Sequence, residues 1–273
     1  MNFQSITAFL FAGAVLVFGI VGSGDPSRFL DQRAMWIVLG GTVAAAAISF
    51  QVDRIFVLFK IFFRRVVQKK NEDYVGLISE LMELAELHRN NRANFRARIP
   101  KCGDPFLREA LVAVDEGVLE DDRLIRILHA RVNTMYGRQS EEVIKFRAIG
   151  KYPPAFGLMG TTLSMISLLQ RLGDPTAQKQ LGPAMAMGLV ATFYGLALAN
   201  LVFNPVAESL ADTTRRHRTR NLIIVEGVRL ILEKINPIIL AEELNSFLPP
   251  SERVDWKSVI GGSGKKPADK KAA

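Results

Sequence analysis

Two threonines carry the most suggestive chemistry in this chain. Thr161 and Thr192 sit inside two uncharged runs, Tyr152–Gln170 and Leu181–Ala207, joined by the short polar turn Arg171–Gln180. At about 1.5 Å of rise per residue, each run is long enough to cross a hydrocarbon core of roughly 30 Å as a helix. Thr161 then lies about eight residues, or roughly 12 Å, in from Pro153, and Thr192 about thirteen residues, or roughly 20 Å, in from Pro205. Both hydroxyls fall near mid-membrane, where oxygen could help coordinate a partly dehydrated cation. Gly157, Gly160, Ser164 and Ser167 share the Thr161 face of the first helix. Ala184, Gly188, Ala191, Gly195 and Ala199 make a comparable stripe on the second, with Thr192 on its edge. Small residues let membrane helices approach closely and hydroxyls can bond across the seam, so helix packing and a water-touched ion path both fit the pattern. Neither run contains Asp, Glu or His.

The elements that must position this hairpin follow from composition and charge. The chain has 273 residues, 49% hydrophobic and 23% charged, which fits a membrane part joined to a sizeable water-facing part. Met1–Gly24 carries no charged side chain and, lacking a basic n-region and a cleavage site, reads as a retained first span. Ala34–Val52 is a second uncharged run. Residues 51–70 hold Arg54, Lys60, Arg64, Arg65, Lys69 and Lys70 against Asp53 alone, and Arg215, Arg216, Arg218 and Arg220 follow the last span. The positive-inside rule therefore places residues 53–151 and both termini in the cytoplasm, with the two short turns outside. The fold class is an all-α integral membrane protein: four transmembrane helices with a helical cytoplasmic domain between spans 2 and 3. Its expected parts are residues 1–52 (spans 1 and 2), 53–151 (cytoplasmic), 152–207 (spans 3 and 4, the ion path), 208–260 (a C-terminal cytoplasmic helix) and 261–273 (a disordered basic tail).

Inside the cytoplasmic part, Arg54–Val67 interleaves phenylalanines with basic residues and should continue span 2 as a helix at the membrane surface. Asp73–Arg89 shows a helical apolar face. Asp104-Pro105 reads as an N-cap and first helical residue, and Gly117 as the stop. A helix from Arg123 should run to Lys151 and on into span 3. The net charge of +8 lies beside apolar runs and in the tail, which suits anionic membrane lipid rather than nucleic acid. A single cysteine excludes an internal disulfide, and His88, His129 and His217 lack metal-ligand spacing.

Arg28–Phe50 (RFLDQRAMWIVLGGTVAAAAISF), Pro154–Thr161 (PAFGLMGT), Gly173-Asp174-Pro175, Met185-Ala186-Met187 and Thr192–Gly195 (TFYG) followed by NLVFNPVAE resemble the flagellar stator channel family, MotA and PomA, in order and spacing. The layout differs from the related TolQ and ExbB proteins, which have three spans and a large loop after the first. The resemblance implies a homopentamer around a dimer of a MotB-like partner, whose membrane helix supplies an ion-binding aspartate. Passage of H+ or Na+ there turns the pentamer, and its cytoplasmic domain drives the rotor protein FliG. By the same resemblance Thr161 and Thr192 match ion-path positions, and Pro154 and Pro205 match two coupling prolines. Read from the residues alone, those prolines need only begin span 3 and kink span 4. Arg89 matches a rotor-contact arginine. The acidic counterpart expected a few positions later falls instead among Arg92, Arg96 and Arg98, and the nearby acids are Asp115, Glu116, Glu120, Asp121 and Asp122. Thr161 leans the ion toward sodium, whereas Ala191, where sodium-type relatives often carry threonine, leans toward protons.

Two other readings share the membrane core. A MotA-like subunit could serve gliding, secretion or defence, with a different cytoplasmic partner. A stand-alone channel would need its own ionisable group in the spans, and none is present. An enzyme is not expected, since the sequence holds no nucleophile–base set, phosphate loop or metal cluster, and no cofactor beyond the transported ion is implied.

Overall fold

The computed structural model describes residues 3–22, 24–50, 73–170 and 178–254, and all regular structure among them is helical. The chain forms two compact units, one from residues 1–70 and 138–213, the other from 71–137 and 214–273. Helices α7 (Asp121–Ile149) and α10 (Asn204–Leu232) contribute residues to both units.

In the first unit, α1 (Phe3–Gly22) meets chiefly the short 3-10 turn Pro26–Phe29, and Phe11 and Phe18 stand exposed. The run expected as a second span is a composite: α2 (Gln32–Met35), a π-helical turn Trp36–Gly40, then α3 (Gly41–Ser49). Asp31 starts it by accepting the Ala34 N–H at 2.8 Å. It lies against α8 (Tyr152–Gln170) and α9 (Gln178–Ala197), which form the principal helix pair. A Cβ at Gly41 would overlap the Phe156 ring, so glycine is what admits that ring. After α9 a second π-helical turn, Leu198–Phe203, leads directly into α10.

Helix α3 closes at Phe50, extended at φ −134°, and the helix expected over residues 54–67 lies outside the described residues. One expectation needs correction: the helix from Arg123 is not continuous with the run that begins at Tyr152. It ends at Ile149, turns through Gly150 and Lys151, and α8 begins at Tyr152. The physical reason is the pair Pro153 and Pro154, whose missing N–H groups are tolerated only in a first helical turn. Among the described residues, the stretch Leu181–Leu232 is the helix with the length and apolarity of a membrane span; Gly13–Gly22 is a shorter apolar one.

The second unit packs α4 (Tyr74–Asn90), α5 (Arg92–Arg98), α6 (Pro105–Glu116), the start of α7, the end of α10 and α11 (Pro237–Asn245) around one core. Leu77, Ile78, Leu81, Leu84 and Ala85 give the expected buried face of α4. Asp73 caps α4 through the Gly76 N–H at 2.8 Å. Asp104 caps α6 through the N–H groups of Phe106 and Leu107, and Gly117 ends it in the left-handed region at φ 63°. Asn245 ties down the chain end by accepting the Val254 N–H at 2.8 Å and donating to its carbonyl at 3.0 Å.

Candidate functional site

The α8–α9 seam is where the predicted small residues meet. A Cβ at Gly157 would lie 2.9 Å from the Ala191 carbonyl oxygen, and one at Gly160 2.7 Å from the Ala191 Cβ. One at Gly188 would lie 3.2 Å from the Thr161 Cα, and one at Gly195 would run into the Pro153 carbonyl. All four glycines therefore serve close approach of the two backbones.

That approach brings the predicted hydroxyls together: Thr161 Oγ1 and Thr192 Oγ1 are 2.5 Å apart. Thr161 is also 2.8 Å from the Gly188 carbonyl oxygen, and Thr192 3.3 Å from that of Gly157. Each hydroxyl has one proton to give. With Thr192 donating to Thr161, and Thr161 to Gly188, the protons are used within the seam while lone pairs remain on Thr192. Both residues stay partly exposed in the single chain, whereas Ser164 is 2% exposed and donates to the Ala184 carbonyl. Ser167, expected on the same face, is exposed and lines a cavity of about 420 Å³ with Asp31 and Arg33. The seam can thus offer neutral oxygen to a cation but no carboxylate.

Pro154 sits in the first turn of α8, and its Cα would be 3.1 Å from a Cβ at Gly195. Pro205 follows the second π-helical turn, in which the Asn204 N–H reaches back five residues to the Ala199 carbonyl. Pro154 lines a second cavity, of about 560 Å³, with Arg147, Lys151, Asn200, Asn204 and Glu208. Arg147 Nη2 and Glu208 Oε1 form an ion pair there at 2.7 Å.

The rotor-contact candidates divide. Arg96 Nε holds Asp115 Oδ2 at 2.6 Å and Arg92 donates to the Asp115 main-chain carbonyl at 3.4 Å, so the structure joins Arg92 to Asp115 through contacts within the unit. Arg89 and Glu116 are exposed. Beside them, burial pushes the His88 imidazole below its usual pKa, and the charges of Arg92 and Lys234 act the same way. Burial, aided by Glu80, pushes the Cys102 thiol up to about 11.

Sequence reasoning missed Tyr194. Its hydroxyl donates to the Phe29 carbonyl and accepts the Asp31 N–H at 3.3 Å, fixing the entry to α2 on α9. An aromatic residue in an apolar run gives no signal for such a bond. Both π-helical turns were missed for a similar reason, although Pro205 marks the second.

A helix pair that brings two hydroxyls together in an apolar seam, with no acidic residue in either run, has the build of a membrane ion-channel subunit. The chain belongs to the MotA/TolQ/ExbB proton channel family, a family of transporters rather than enzymes: its family model matches residues 99–221, and relatives match over nearly the whole length. It is 31% identical to Motility protein A of Borreliella burgdorferi, over 96% of this chain and 100% of that one. It is 32% identical to the uncharacterized protein YtxD of Bacillus subtilis, over 94% and 93%, and 26% identical to the chemotaxis protein PomA of Vibrio alginolyticus, over 93% and 98%. The flagellar MotAB stator complex of Bacillus subtilis aligns with a TM-score of 0.80 at 25% identity, over 92% of this chain and 98% of that one. The C. jejuni MotAB structure aligns with a TM-score of 0.81 at 20% identity, over 92% and 97%, a likeness of fold.

Proposed function

We propose that this chain is the channel subunit of an ion-driven rotary motor, acting in the bacterial inner membrane with a MotB-like single-span partner. The observation that carries the reading is the Thr161–Thr192 hydroxyl pair, set between two helical runs that hold no Asp, Glu or His. Such a seam can solvate a cation but cannot bind and release a proton, so a carboxylate must come from another chain. The partner's aspartate supplies it. The MotAB likeness and the family's other members support that assignment.

On this reading four helices span the membrane. Residues 1–52 hold spans 1 and 2, residues 152–207 hold spans 3 and 4, and both termini are cytoplasmic. The parts at 53–151 and 208–260 face the rotor. Copies of this chain form a homopentamer around the partner dimer, and Pro154 and Pro205 are the hinge positions that pass motion from the ion path to the cytoplasmic side. Arg89 and Glu116 remain the exposed candidates for contact with FliG, since Asp115 is engaged by Arg96. The ion is H+ or Na+. Thr161 favours sodium, and Ala191 offers no third hydroxyl.

A second reading rests on two observations: Asp115 is held by Arg96 within the unit, and the uncharacterized protein YtxD is as similar as the motility proteins. The chain would then power a non-flagellar process with the same membrane core. Cation uptake into cells expressing this chain with its partner tests the shared claim. Uptake that vanishes when the partner's aspartate is changed to asparagine supports it, and uptake that persists contradicts it. Restored swimming in a stator-deficient host then separates the flagellar from the non-flagellar reading.

A further inference from the structure

The 560 Å³ cavity below the hydroxyl pair holds a set of oxygens that the motor reading leaves unused. Asn200 lies eight residues beyond Thr192, and Pro154 seven before Thr161, so the cavity continues the same seam toward the cytoplasmic side. Asn200, Asn204 and Glu208 line it beside apolar residues such as Leu196, together with Arg147 and the solvent-exposed Lys151. The π-helical turn runs its bonds from each N–H to the carbonyl five residues back, as Asn204 does to Ala199. The next such bond would run from residue 205 to Asn200, but Pro205 has no N–H to give. The Asn200 carbonyl thus receives no hydrogen bond from that position. The Asn200 side-chain oxygen accepts from Asn204 Nδ2 at 3.1 Å. Interrupted helices that turn carbonyl oxygen toward a polar cavity are how membrane carriers hold small cations, and π-helical turns recur at functional sites.

The Arg147–Glu208 ion pair in the cavity lining fits a gate better than a strut. The side chains of Arg147 and Glu208 are 46% and 67% exposed. A pair so exposed shifts an equilibrium by a factor of about five at most, so a passing cation can displace the guanidinium easily.

We propose that Asn200 and Glu208 form a transient exit site for the transported monovalent cation, closed between passages by Arg147. The proposal rests on the motor reading above. A cation released from the hydroxyl pair is received by the Glu208 carboxylate and the Asn200 oxygens, and Arg147 re-pairs with Glu208 as it leaves. Glu208 is here a positioning group for the ion, with no covalent step.

The test compares Glu208→Gln with Arg147→Gln in the full complex with its partner, reading cation flux together with complex yield and melting temperature. Both substitutions remove the same ion pair. Glu208→Gln is expected to lower flux by about tenfold or more, with Glu208→Asp recovering part of it, while Arg147→Gln raises flux; yield and melting temperature stay unchanged in all. Equal losses in the two glutamine variants, or flux unaffected by Glu208→Gln, would overturn the exit site while leaving the motor reading intact. No partner-dependent flux in the unmodified complex would instead overturn the motor reading, and the exit site with it.

Discussion

Thr161 Oγ1 and Thr192 Oγ1 stand 2.5 Å apart across the α8–α9 seam, and each is within reach of a backbone carbonyl of the other or its own helix. The bond is made possible by glycine at 157 and 188, where the two backbones nearly touch. One relationship therefore serves both packing and chemistry, and the two contributions separate by substitution.

Thr161→Val keeps the side-chain shape and deletes the hydroxyl. Thr192 can still donate to the Gly157 carbonyl at 3.3 Å, so the expected loss of stability is about 1 kcal/mol. Cation flux should fall by about tenfold, the gain of one charge-assisted oxygen contact, and more for sodium than for protons. Flux assayed in both ions checks this; unchanged sodium dependence would confine Thr161 to packing.

Gly195→Ala drives a methyl group into the Pro153 carbonyl, so the complex should lose about 1–3 kcal/mol. Gly182, with nothing within 4 Å of its Cβ position, is the control. Gly182→Ala should be neutral or stabilise by up to about 1 kcal/mol through helix propensity. Melting temperatures of the two purified variants make the comparison.

Asp104 both caps α6 and holds Arg220 at 2.9 Å. Asp104→Ala should cost about 1–2 kcal/mol for the cap alone, and more with Arg220 left without its carboxylate. Asp104→Asn keeps a capping oxygen and isolates the ionic share. Denaturant midpoints of the three proteins resolve the two contributions.

His88 has a folded pKa below its unfolded value, because burial disfavours the imidazolium and Arg92 and Lys234 repel it. Its contribution is then fully present above the unfolded pKa of about 6.5 and is lost as pH falls through the depressed folded value. Asp121 opposes the shift as the smallest of the contributions. The melting temperature should drop between neutral and mildly acidic pH by more in the unmodified protein than in His88→Gln. Parallel pH profiles would remove the role.

Much of this was legible in the sequence because the signals are local. Asp73, Asp104-Pro105 and Gly117 declare helix ends within a few residues, and the spacing of Gly157, Gly160 and Thr161 declares a face. What stayed hidden depends on partners distant in the chain. Tyr194 finds Phe29, Asp115 finds Arg96, and Arg147 finds Glu208, pairs fixed by packing rather than by neighbours. The break at Gly150-Lys151 lay in plain view in Pro153 and Pro154, but stretches that both read as helix on either side masked it. The π-helical turns carry no spacing signature, since one extra residue in a turn shifts the face without changing its composition.

The central claim is that this chain conducts and turns only as an assembly with a carboxylate-bearing partner. The most direct test is the native mass of the membrane complex, purified after co-expression with a single-span, aspartate-bearing partner. The account predicts a pentamer of this chain holding a partner dimer. A stable complex of this chain alone that still conducts ions would contradict it.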